Sequence, residues 1–355
     1  MKPPIQRAVD RFVQEFLQFE PQTAVSRFLE HLPKRLHKYK TQLEDFSIVT
    51  PPDPVKEILE RNRSLWDSTD TSVREKRIAE WTGEIEERLV TLRGNREIHP
   101  DVSVVIPAHN EEQCILQILD SLSRQQFSGT MEVIIVDNNS DRVGQKTSNG
   151  EYSTTDDKGA EIARQAGAVV LEYNDLHSSH AKIAYARQRG LDAARGSAIL
   201  STDADTIVSS GWVAALYQEL QDPEVTWVGG HILHYDGSEV AKLVSLVFTL
   251  AREISFLTKT LDGFTTQNMA FRKTDAVRIG GYDLEKRYCE DLDLARRLTE
   301  VGRPVLANSE AARVWSSGRR YEHLDYTTLL RLNNLMEELY GADDGTGMVK
   351  NIRKA

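Results

Sequence analysis

The sequence predicts an α/β protein with a largely parallel sheet, helices on both sheet faces and a helical region at the N-terminus. Three observations carry this. Four apolar runs of strand length recur between residues 102 and 201, and helical spacing fills the gaps between them. Residues 1–95 show helical spacing without such runs. Polar clusters follow three of the four runs, at the strand ends where parallel sheets place their ligands.

In the N-terminal region Ile5, Val9, Phe12, Val13, Phe16 and Leu17 share one helical face. A second helix is expected over Thr23–Lys40, and Pro51-Pro52-Asp53-Pro54 breaks the pattern. Two more amphipathic helices follow, around Val55–Trp66 and Val73–Leu92, and Arg93-Gly94-Asn95 ends the last. Lys34, Arg35, Lys38 and Lys40 form a basic run that suits either an anionic surface or a solvated helix face.

The character changes at Asp101. Val102–Ile106 reads as a buried strand and Glu111–Ser123 as a helix with Ile115, Ile118, Leu119 and Leu122 inward. Glu132–Val136 is the second strand, and Val143–Gly159 is a loop rich in Gly, Ser, Thr and Asp. Ala160–Ala166 is a helix and Ala168–Glu172 a strand; Ile183–Ala194 is a helix and Ala198–Ser201 a strand. Val240–Leu261 is the most apolar stretch. Lys242 and Arg252 leave it far short of the ~20 residues a membrane span needs, so it reads as a core helix or an acceptor-lining one.

Composition narrows the function. The 355 residues carry a net charge of −10, which argues against a broad nucleic-acid surface. An acidic protein that handles an anionic ligand must concentrate cations locally or recruit a metal. The 2 cysteines, Cys114 and Cys289, have no CxxC spacing, so neither a zinc site nor a disulfide framework is expected. No signal peptide stands at the N-terminus, and a cytoplasmic protein, at most peripheral to a membrane, is the expectation.

The first strand ends in Pro107-Ala108-His109-Asn110-Glu111, the second in Asp137-Asn138-Asn139-Ser140-Asp141, the fourth in Thr202-Asp203-Ala204-Asp205. Two carboxylates one residue apart after an apolar strand are able to hold a hard divalent cation, Mg²⁺ or Mn²⁺. The plainer reading is that Asp serves turns and helix caps. Glu290, Asp291 and Asp293 likewise suit the start of a helix electrostatically.

Taken together, VSVVIPAHNEE (102–112), VIIVDNNSD (133–141), AARGSAILSTDAD (193–205), Asn268–Arg272, Gly280–Asp283 and Cys289–Arg297 resemble the inverting, nucleotide-sugar-dependent glycosyltransferases of family 2. The likeness covers about residues 101–320. It implies the GT-A fold, a Rossmann-like mixed, mostly parallel sheet, and three segments: a helical region 1–96, a GT-A domain 97–320 and a helical extension 321–355.

The resemblance also implies roles. Pro107, Ala108 and His109 would line the base and ribose, Glu111 would serve the ribose or start a helix, and Asp137 would face the base edge. Lys182 and Arg187 are candidates for base or phosphate contacts, or solvated helix cations. Leu176–His180 departs from the family's Gly-rich entry at this point. Asp205 would bind the metal. Asp203 would bind ribose or assist at the ion, and Ala204 would lie against the donor. Asp291 is the expected general base, with Glu290 as alternative or orienter. Asn268 would hold a sugar hydroxyl, and Arg319 or Arg320 would close on the diphosphate. His231, His234 and His323 are further metal-ligand candidates, or structural histidines. No QxxRW box is present, so transfer of a single sugar is expected, to a small-molecule or lipid-linked acceptor. Two other classes remain: a sugar nucleotidyltransferase, whose Gly-rich phosphate loop is missing after the first strand, and a non-catalytic nucleotide-binding or interaction protein. The oligomeric state is not legible.

Overall fold

The computed structural model describes residues 50–95, 99–138, 140–141, 143, 156–173, 183–237, 249, 252, 256, 266–286 and 289–319. Expectations for residues 1–49, for most of Val143–Gly159 and Val240–Leu261, and for 320–355 lie outside them. The chain divides into two compact units, one of residues 51–232 and 251–316, the other of residues 1–50, 233–250 and 317–355.

The first unit opens with a helical pair, α1 (Asp53–Trp66) and α2 (Thr71–Arg93). Proline at the first turn suits α1, because the missing N–H has no helical partner there. Asp70 caps α2 by accepting from the Ser72 and Val73 amides, and Gly94 ends it at φ 62°. Val55, Ile58 and Leu65 of α1, and Trp81, Ile85 and Leu89 of α2, are buried at helical spacing. Arg61 ties the pair: it donates to Glu84 at 2.7 Å and lies 4.5 Å above the Trp81 ring.

The sheet begins with β1 (Val102–Ala108), then α3 (Ile115–Ser123), β2 (Met131–Asn138), α4 (Gly159–Gln165), β3 (Val169–Tyr173), α5 (Ile183–Ala193) and β4 (Ala198–Ser201). All nine residues of α3 are buried. Its Asp120 carboxylate, 0% exposed, receives Arg88 of α2 at 2.6 Å and Arg124 at 2.9 Å. The helical pair is therefore packed into the same unit as the sheet.

Next come β5 (Thr206–Val208), α6 (Trp212–Glu219), β6 (Val225–Gly230), β7 (Ile232–His234), β8 (Met269–Arg272), α7 (Lys273–Arg278), α8 (Glu290–Thr299), β9 (Arg303–Ala307) and β10 (Val314–Ser316). The main sheet has 7 strands in the order β3-β2-β1-β4-β8-β6-β9. Only β8 runs against its neighbours, β4 and β6. This is the mixed, mostly parallel sheet expected. β5 pairs antiparallel with β10, setting Thr206 opposite Ser316.

The central core joins Val105, Ile134, Val136, Leu191, Ile199, Trp227, Phe271, Tyr282 and Leu294. Gly190 lets α5 lie directly on β1, since a Cβ there would fall 2.1 Å from Val105 Cγ1. The β1–β2 register sets Ala108 beside Asp137, so the polar ends of both strands emerge together. Among the described residues no helix is long and apolar enough to cross a membrane.

Candidate active site

The ends of β1 and β2 form one polar edge. His109 is exposed, and its Nδ1–H donates to the Asn138 carbonyl at 2.9 Å, which leaves Nε2 as the second ring nitrogen. Asn110 adopts the left-handed region at φ 56° and clasps the neighbouring strand end. Its Nδ2 donates to Asp141 Oδ2 at 3.0 Å, and its Oδ1 accepts from the Asp141 amide at 2.7 Å. Asp137, 2% exposed, accepts from the Ser140 amide at 3.2 Å, so it shapes its own turn. Pro107 is buried, and Ala108 and Glu111 are half-buried.

The two acidic motifs meet further along the sheet. Asp203 and Asp205 leave β4 in the turn before β5. Glu290 and Asp291 form the first turn of α8. Between them stands Arg187 of α5, 3% exposed. Its Nη2 donates to Asp203 Oδ1 at 2.8 Å, its Nη1 to Ser201 Oγ at 2.8 Å, and its Nε to Glu290 Oε1 at 3.4 Å. Tyr282, 4% exposed, joins the cluster, close enough to Arg187 for the cation to act on its hydroxyl electrostatically. Gly280 and Gly281, at φ +86° and +71°, make the turn that brings it there, and the Tyr282 amide donates to Gln188 Oε1 of α5 at 2.8 Å.

The charges in this cluster are uneven. Burial works against the Arg187 cation, but Asp203, Tyr282, Glu290 and Asp291 more than reverse that, and it stays charged. Glu290 is in the opposite position. Burial and then the neighbouring Asp291 push its carboxyl up to about 7, against the pull of Arg187. Asp203 holds the shorter contact with the shared cation, and Glu290 is left with the longer one. Burial, with Asp291 and Glu290, also raises the Cys289 thiol to about 11, so it stays protonated and a poor nucleophile. Asp291 is half-buried, more open than Glu290, and its Oδ1 accepts from the Leu292 amide at 2.8 Å.

Asp205 is 5% exposed, and Ser316 of β10 donates to its Oδ1 at 3.4 Å. Gln267 donates in turn to the Ser316 hydroxyl and, at 3.5 Å, to Thr206 Oγ1. Ala204 is buried between the two aspartates. Among the described residues no three His, Cys, Asp or Glu side chains converge into a protein-only metal cage. Mg²⁺ shared with a diphosphate needs only one or two protein carboxylates. The Asp205 carboxylate with the Ser316 hydroxyl beside it is an all-oxygen donor set that fits such an ion, whereas Asp203 is turned toward Arg187.

The fold bears on three of these sequence readings. Arg187 is not presented to a phosphate: its three nitrogens are engaged inside the fold. Asn268 is not a sugar contact. It is 1% exposed, its Nδ2 donates to the His231 and Ala312 carbonyls at 2.8 and 2.9 Å, and its Oδ1 accepts from Trp212 Nε1 at 2.9 Å. The amide is consumed in tying β8 to α6 and to the turn before β10. His231 is also structural, 2% exposed with Nε2 at 3.1 Å from Asn308 Oδ1. Arg319 is exposed and belongs to the second unit, in which Ser317 Oγ donates to Asp236 at 2.9 Å and to which the Gly318 amide adds a bond to the same carboxylate. Lys182, Arg320 and His323 lie outside the described residues.

Ser201 and Tyr282 were not singled out from sequence as members of this cluster. The available signal was the Gly-Gly pair before Tyr282, which marks a forced turn in front of a large polar ring.

The family model described as "Glycosyl transferase family 2" matches residues 103–282, just over half of the chain. The chain belongs to glycosyl transferase family 2. That match includes β1 to β8, the Asp203–Asp205 turn and Tyr282. Among curated relatives, "Uncharacterized glycosyltransferase EpsJ" of Bacillus subtilis is 30% identical over 130 residues, 37% of this chain and 33% of that one. A "Pre-mycofactocin glycosyltransferase" of Mycobacterium tuberculosis is 28% identical over 211 residues, 58% of this chain and 40% of that one. The chain thus spans well under half the length of these relatives. Among solved structures, "Mannosyltransferase PcManGT from Pyrobaculum calidifontis in complex with GDP-Man and Mn2+" aligns with a TM-score of 0.43 at 15% identity, over 78% of this chain and 76% of that one.

Proposed function

We propose that this family 2 protein moves a single sugar, with inversion, from a nucleoside-diphosphate sugar to an acceptor hydroxyl, and that the donor is a UDP-sugar. One observation carries the reading: the Asp203–Asp205 turn and the Glu290–Asp291 turn are drawn into one cluster around Arg187, at the end of β4. An inverting transfer needs both functions in one place, anionic ligands beside the leaving diphosphate and a carboxylate for the incoming hydroxyl.

In this account His109, Pro107, Ala108 and Asp137 hold the nucleoside at the ends of β1 and β2, with Glu111 toward the ribose. Asp205 would hold Mg²⁺ or Mn²⁺, with Ser316 fixing the carboxylate. When bound, that ion supplies positive charge against the leaving nucleoside diphosphate. Asp291, the more open of the two acids, accepts the proton of the acceptor hydroxyl as its oxygen attacks the anomeric carbon. Glu290, buried, with its carboxyl held above the ordinary carboxylate range by burial and by Asp291, orients that turn. The acceptor is a small molecule or a lipid-linked one.

The test is a panel of UDP-sugars and GDP-mannose with Mn²⁺, Mg²⁺ or EDTA, and a set of alcohol acceptors. Release of nucleoside diphosphate that needs the metal supports the reading. Release of pyrophosphate from a nucleoside triphosphate and a sugar phosphate would instead identify a nucleotidyltransferase. Metal-dependent nucleotide binding without turnover would identify a binding protein.

A further inference from the structure

Arg187 stands between three segments that the reaction must keep in register: the end of β4, the Asp203 turn and the first turn of α8. A guanidinium that served the donor would face the cleft. This one is 3% exposed, and each of its three nitrogens is bonded inside the protein, to Ser201, Asp203 and Glu290. The segment it holds is also strained. Cys289, just before α8, sits in the left-handed region at φ 58°, which costs a non-glycine residue about 1–2 kcal/mol. Strain of that kind persists only where neighbouring contacts hold it. The Arg187–Glu290 contact reaches across 103 residues to the helix turn that carries Asp291.

We propose that Arg187 is a positioning residue for sugar transfer: its guanidinium locks the Asp203 turn to the start of α8 and so sets where Asp291 stands relative to the donor. The inference rests on the transfer reading above, and deepens it. Arginine suits the task because its planar fork reaches three acceptors at fixed angles. A lysine ammonium, a point charge on a flexible stem, does not hold that arrangement. Misplacing a catalytic group by about 1 Å costs on the order of 100-fold in rate.

The experiment compares wild type with Arg187→Lys, following nucleoside diphosphate release with Mn²⁺ from UDP-N-acetylglucosamine, UDP-glucose and GDP-mannose. The expected result is a kcat lower by about 100-fold with donor KM within about threefold of wild type. A KM raised about tenfold or more at unchanged kcat would make Arg187 a donor ligand and overturn the proposal, as would unchanged values of both. Should Arg187→Lys not fold, Arg187→Met/Glu290→Gln removes the buried cation and its weaker partner together, and the same split is expected. Hydrogen exchange separates this proposal from the functional reading. With no turnover in the wild type the transfer reading falls. The lock itself is still read, because Arg187→Lys is expected to speed exchange at the amides of residues 203–206 and 291–293 together. Faster exchange at one segment alone, or at neither, overturns the lock.

Discussion

Replacing Asn268 by alanine separates a structural amide from a sugar-binding one. The side chain makes three bonds inside the first unit: two N–H donors to the His231 and Ala312 carbonyls, and one acceptor for Trp212 Nε1. Truncation leaves the Ala312 carbonyl and the Trp212 indole N–H unpaired around a residue that is 1% exposed, while the His231 carbonyl keeps its bond from the Val314 amide at 3.1 Å. Each orphaned buried group costs about 1–3 kcal/mol, so the low end summed over the two groups is a loss of about 2 kcal/mol. For a domain of this size that lowers Tm by about 4–8 °C. The assay is urea unfolding followed by tryptophan fluorescence, with UDP binding measured below the transition. A loss of stability under about 1 kcal/mol together with abolished binding of a UDP-sugar would refute the reasoning and return Asn268 to the sugar site.

Three further outcomes are expected. Glu290 has a folded-state pKa raised from 4.5 to about 7, so the native state binds the extra proton. Its contribution is neutral below pH 4.5 and becomes a penalty as pH rises toward 7, up to about 3 kcal/mol; urea midpoints at pH 5 and 7.5 are expected to converge in Glu290→Gln. Gly190→Ala is expected to destabilise by about 1–3 kcal/mol, because its Cβ meets Val105 Cγ1 at 2.1 Å; thermal unfolding checks it. Removal of divalent metal with EDTA is expected to abolish nucleoside diphosphate release, and Mn²⁺ to restore it.

The first half of the sheet was legible for a physical reason. Parallel strands covered on both faces are continuous apolar runs, and β1, β2 and β4 are buried along nearly their whole length. The second half carries no such signal. β8 is 4 residues long, and its sequence stands out as part of a motif rather than as the strand that runs against its neighbours in the main sheet. β9 lies at the edge, partly exposed and containing Pro304, which an edge strand tolerates and an interior one does not. Asp203, Glu290 and Arg187 stand out in the sequence by residue type, and the fold brings them into contact. Their pairing was not legible. Sequence spacing offers Arg187 a phosphate or water as partner, and it has no way to state that the side chain is buried between two carboxylates, Asp203 16 residues away and Glu290 103 residues away. Asn268 shows the same limit: a buried amide and a cleft amide are identical in one dimension.

The most direct test of the whole account is a paired measurement of Mn²⁺-dependent UDP binding and of sugar transfer in Asp205→Asn and Asp291→Asn. The account predicts that Asp205→Asn loses metal-dependent binding and transfer together. It predicts that Asp291→Asn binds UDP as wild type does and transfers sugar at least about 100-fold more slowly. Full transfer by Asp291→Asn, or undiminished metal-dependent binding by Asp205→Asn, would contradict it.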